Sequence, residues 1–114
     1  MQEYKHTKEM GEISGFGGDY EKKCQIMLNA GVNWIANNPD KNPKASEIKN
    51  VYGIICEDNP EAEELSKAIL DSVNKDCTGA MHHAVMSRCL WIKANSWDEY
   101  CKVMIESEAE EGGE

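Results

Sequence analysis

From Gly79 to Ala94 the chain reads GAMHHAVMSRCLWIKA. Wound as a helix, this stretch is apolar around most of its circumference, with Ala80, Met81, Ala84, Val85, Met86, Cys89, Leu90, Trp91 and Ile92 spread over several faces. A helix of that kind needs neighbours on most sides. In a chain of 114 residues, which suits one domain, the neighbours have to come from the same small body. The stretch therefore predicts a helical bundle with itself as the central rod.

The flanking sequence supplies the other rods. Tyr20, Cys24, Met27, Leu28, Gly31, Trp34 and Ile35 recur at steps of three, four and one, the stripe of an amphipathic helix over about 20–36. Asp19 is placed to cap it, and Asn37-Asn38-Pro39 to end it. Asn42-Pro43 and Asn59-Pro60 each pair a capping residue with a proline suited to the first helical position. They predict helices over about 42–56 and 60–74. VYGIIC, residues 51–56, is rich enough in β-branched residues that a short strand is its competing reading. Ser96 and Glu99 have capping-box spacing ahead of Trp97, Tyr100, Cys101, Met104 and Ile105. The expected fold is all-α: a single-domain bundle of four to five short helices about a central helix over 79–94. Residues 1–18 read as a polar arm with a glycine-rich lead-in loop, 19–105 as the helical domain, and 106–114 as an acidic, disordered tail.

Charge narrows the partners. Of 21 acids, five lie in the last nine residues, so residues 1–105 hold 16 acids against 12 bases. Nucleic-acid binding needs a basic surface, and none is expected here. An acidic chain suits a basic partner, and the carboxylates of Glu57, Asp58, Glu61, Glu63 and Glu64 are the candidate partner-binding group. The plainer reading of such a run is a solvated face.

Five cysteines without paired spacing, behind a polar beginning that lacks a signal peptide, predict reduced thiols and a cytoplasmic location. No apolar run is long enough to suggest a membrane span. A bundle this small is also compatible with a homo-oligomer.

Polar groups on the central helix are the candidates for chemistry. Arg88 lies on an apolar arc, so its permanent charge must either reach the surface or meet an acid or an anion. Glu21, Glu47, Asp71 and Glu99 are the candidate internal acids. The alternative is a small, nucleotide-like anion held by Arg88 with His82 or His83 and the Thr78–Gly79 amides. The histidines point about 100° apart on one helix, and the chain has no zinc-ligand spacing, so no metal and no cofactor are expected. Neutral, hydrogen-bonded core histidines are the plainer reading. Cys77, just before the Thr78 cap, is placed where a helix terminus can lower a thiol pKa, although no third residue orients a histidine toward it. Gly15, Gly17 and Gly18 precede a helix but match no phosphate-binding spacing.

In size, acidity and want of a catalytic motif, the chain resembles the small accessory proteins that phages encode against host defences. That resemblance is of general character and implies an inhibitor. The reading that follows is a non-enzymatic cytoplasmic protein that occupies a basic protein surface. Its alternatives are a sequestering protein for a small anion and a cysteine-dependent enzyme built on Cys77.

Overall fold

The computed structural model of the chain describes residues 6, 10–13, 17–46 and 56–112, with side chains as far as Glu106. Within them lie four helices: α1 (Gly18–Asn37), α2 (Pro60–Asp71), α3 (Gly79–Ala94) and α4 (Trp97–Gly112). The expected all-α bundle is what forms. Among the described residues the one extended pairing is an isolated antiparallel bridge between Ala45 and Glu57. The α3 helix packs on each of the other three, α1 also packs on α2, and of the other helices α4 packs only on α3. Val85, Met86 and Cys89 of α3 are fully enclosed, so the rod that is apolar on most sides is also the central one.

Local chemistry explains where most of the helices begin and end. The Asn59 side chain accepts the Ala62 amide at 2.9 Å, with Pro60 at the first helical position. The Thr78 hydroxyl accepts the Met81 amide at 3.2 Å, and the Ser96 hydroxyl accepts the Glu99 amide at 3.0 Å. At the end of α1, the Asn38 amide group donates to the Trp34 carbonyl at 2.8 Å. The start of α1 differs from expectation. The helix begins at Gly18 with Gly17 in the cap position and no side-chain cap, so Asp19 sits in the first turn. There its charge complements the positive helix end.

The end of α2 also differs. The sequence extends it to about Asn74, but it stops at Asp71. Asn74 and Lys75 turn left-handed, with φ of 53° and 62°. The Lys75 amide then reaches back to the Leu70 carbonyl at 2.7 Å, the long bond that closes a helix end without a glycine.

Three helices meet at Gly31. A Cβ there would lie 2.4 Å from Cys89 Sγ and 3.1 Å from the Ile69 side chain. The missing side chain is what lets α1 approach α3 and α2 this closely.

Three further expectations need correcting. Residues 42–46 do not begin a helix: the Ser46 amide donates to Cys56 and the Asp58 amide to Lys44, each at 3.1 Å. The backbone of 42–44 is bonded to side chains instead. Asn59 donates to the Asn42 carbonyl and accepts from the Lys44 amide, while the Asn42 amide donates to Glu61. The expected helix across 47–55 and most of the competing strand at 51–56 lie outside the described residues.

Second, the polar arm is partly core. Met10 and Ile13 are buried with 1% and 6% exposure. Both carboxylate oxygens of the buried Glu21 accept the Ile13 amide, at 2.9 and 3.1 Å. His6 Nε2 is 2.5 Å from the Gly11 carbonyl, which can only accept, so that nitrogen carries the proton. Third, the stretch expected to be a disordered tail begins as helix: α4 runs on to Gly112. Glutamate is a good helix former and does not break the ladder.

Candidate functional site

The residues singled out on α3 are distributed among different environments. Thr78 caps the helix, and Gly79 follows it, exposed. Arg88 is ten residues further along, roughly 15 Å up the axis at the helical rise. It is 2% exposed, and its Nη1 donates to the Ala84 carbonyl of the preceding turn at 3.2 Å. Burial raises the pKa of the Cys24 thiol; the Glu21 charge adds to that and the Arg88 guanidinium opposes it, so both charges stand within electrostatic reach of the same sulfur. Of the acids named as candidate partners for Arg88, Glu21 thus shares its surroundings. Glu47 lies outside the described residues. A ligand small enough to sit on the Thr78–Gly79 amides does not reach a guanidinium so far inside the body.

His82 and His83 part company. His83 is exposed. His82 is half-buried, and its Nε2 lies 2.7 Å from the hydroxyl of the buried Ser66 on α2. Burial lowers the His82 pKa, His83 lowers it further, and Glu57 opposes both. A serine, a histidine and a nearby acid invite comparison with a hydrolytic triad. Ser66, however, sits in the middle of α2, where backbone amides are committed to the helical ladder and offer no oxyanion donors. The pair is an interhelical tie made by a neutral imidazole.

The acidic group around the start of α2 is largely turned to internal use. Glu61 accepts the Asn42 amide. The two Glu64 oxygens lie 3.0 and 2.9 Å from Lys41 Nζ, whose ammonium also stands 5.9 Å from the Trp34 ring centroid. Asp58 accepts from the Ser46 hydroxyl at 2.6 Å. These bonds staple the 38–46 loop to α2. Glu57 and Glu63 remain exposed.

What the structure does assemble is a cleft of about 400 Å³ between the N-terminal ends of α1 and α3. Its walls are Asp19, Tyr20 and Lys23 from α1 and Asp76, Cys77, Thr78 and Met81 from the approach and first turn of α3. Lys23 Nζ pairs with Asp76 at 2.6 Å across it. That hydrogen bond raises the Lys23 pKa, and the charges of Asp76 and Asp19 add to it. Tyr20 is 51% exposed, among the most exposed large apolar side chains described. The Cys77 thiol is not activated at this helix terminus. Partial burial and Asp76 push its pKa up, and Lys23, already paired, only partly offsets them.

Sequence reasoning named Cys77 and Thr78 in this cleft but missed the α1 half. The signal was there: Asp19 and Tyr20 lie in the first turn of α1, and Lys23 follows one turn on. That the two helix starts lie side by side is tertiary information.

Among the described residues no three His, Cys, Asp or Glu side chains converge on one point, and no helix is long and apolar enough to cross a membrane. Compared with protein-family models, curated proteins and solved structures, the chain matches none.

Proposed function

We propose that the protein is a non-enzymatic binding protein that occupies a basic surface on another protein, as an inhibitor of the kind phages direct at host systems would. The observation that carries this reading is the sorting of charge. The one arginine, the side chain best suited to gripping an anion, is enclosed in the core. Of the described acids, Glu21 alone is buried, Glu61 is partly covered and the others are exposed. The described lysines also lie outside the core, but the acids outnumber them, and such an excess repels phosphates and steers toward cations, with association that weakens as salt rises.

The test uses the intact chain, immobilised and exposed to a lysate of its source cells at low and at high salt. Basic proteins retained at low salt and released at high salt are expected. Glu57→Lys with Glu63→Lys is the clean charge reversal, because neither carboxylate belongs to the loop staple. The double variant should lose most of that retention. Retention with no salt dependence, or unchanged by the reversal, would overturn the proposal.

A further inference from the structure

We propose that His6 and the segment Met10–Ile13 form a strap that holds α4 against the body, and that strap and α4 release together as one unit while α1, α2 and α3 stay folded.

The need for a strap follows from how the helices are placed. The first three each pack on the other two, whereas α4 packs only on α3 among the helices. Where α4 begins, a gap of about 280 Å³ lies between it and the far end of α1, with Trp97 on one wall and Val32 and Ile35 on another. Tyr100 and Met104 of α4 are nonetheless buried, at 0% and 3% exposure, in the same core cluster as Met10 and Ile13. A helix of 16 residues is marginal in water by itself and relies on such packing.

The strap reaches from α1 to α4. On α1 the buried Glu21 carboxylate accepts the Ile13 amide through both oxygens, at 2.9 and 3.1 Å. On α4 the Tyr100 ring faces the His6 ring, with centroids 6.5 Å apart and planes tilted by 47°, within the range of favourable aromatic pairing. Between these two holds the chain closes on itself. His6 Nε2 donates to the Gly11 carbonyl, and Gly11 turns left-handed at φ 79°, a conformation that glycine adopts without strain. Lifting the strap withdraws Met10 and Ile13 from the cluster that encloses Tyr100 and Met104, and it cuts the link between α4 and α1.

The hold is reversible. His6 Nδ1 is buried without a hydrogen-bond partner among the described residues. Such an atom regains a partner from water when the strap lifts, which offsets part of what the packing contributes. Segments with few packed neighbours open below the global unfolding free energy, and they open as contiguous units. Anything that captures the strap therefore also frees α4.

The test is native-state hydrogen exchange of the intact protein, read amide by amide by NMR in urea below the unfolding transition. The Ile13 amide and the α4 amides from Cys101 to Ile105 are expected to share one opening free energy and one urea dependence, both below those of Val85 to Leu90 in α3. His6→Ala and Gly11→Ala, which alter no helix residue, should each speed α4 exchange by about five-fold or more and leave α3 exchange unchanged. Alkylation of Cys101, on α4, should quicken with it, and that of Cys77, ahead of α3, should not. Acceleration confined to the N-terminal segment, with α4 as protected as before, would overturn the proposal. So would wild-type α3 and α4 amides that exchange through one common opening, a comparison that stands even if a variant fails to fold.

Discussion

His82 shows how one side chain can be both a packing element and a source of pH dependence. Its ring is half-buried against the Ser66 hydroxyl, and burial favours the neutral form, so the folded-state pKa lies below the ordinary 6.5. Between those two values the unfolded chain holds a proton that the folded chain does not, and stability therefore rises with pH across that interval. The contribution is complete above about pH 6.5 and is lost as the pH falls through the folded-state value. Urea unfolding at pH 7.5 and 5.5 should show the wild type losing more stability on acidification than His82→Gln. Equal losses in the two proteins would assign the pH dependence elsewhere. The same residue marks the limit of pattern reading. Adjacent histidines on one helix have different surroundings, because α2 covers one and water the other. No spacing rule says which.

Between elements, the decisive contact is the crossing of α1 over α3 and α2 at Gly31. A glycine inside a helix normally costs stability relative to alanine, by about 1 kcal/mol. Here the crossing reverses that preference, since an added methyl carbon would stand 2.4 Å from Cys89 Sγ. Gly31→Ala should destabilise the protein by about 1–3 kcal/mol. Adding Cys89→Ala should return part of the loss, because the offending sulfur is gone. Chemical denaturation of both variants checks this, and a second substitution whose cost simply adds to the first would show that the clash is absorbed elsewhere.

The stripe of α1 was legible because it repeats at the helical period, and Gly31 falls within it. That the residue is an obligate gap was not legible, because the atom that fills the gap belongs to a helix nearly sixty residues later. The failed helix start at Asn42-Pro43 has the same origin. Its capping signal was real but matches the one at Asn59-Pro60, and Asn59 and Glu61 bond the backbone of 42–44 in place of a turn of its own.

For the molecule as a whole, burial ranks the five cysteines into a testable order. Cys89 is fully enclosed and its pKa is driven far above the ordinary thiol value. Cys24 is enclosed too and is pushed up to about 11, first by burial and then by Glu21. Cys77 and Cys101 are partly covered and raised chiefly by desolvation, while Cys56 is exposed. Since the thiolate is the reactive form, alkylation with iodoacetamide at neutral pH should label Cys56 first and Cys77 and Cys101 next. Cys24 and Cys89 should react only on unfolding. Peptide mapping over time reads that order, and early labelling of Cys24 would mean that the α1–α3 core opens readily.

The sequence alone determined that this chain makes helices, where most of them start, and that 79–94 is the innermost. Those properties follow from periodicity and capping, which act over three or four residues and are complete in the local string. Only the tertiary structure decided which polar groups meet. It enclosed Arg88, tied His82 to Ser66, used much of an acidic run to hold a loop, folded Met10 and Ile13 into the core, and brought two helix starts together as a cleft. Each of those outcomes depends on how close two distant segments come and on how much water lies between them, and neither quantity is written in the spacing of residues along one strand of chain.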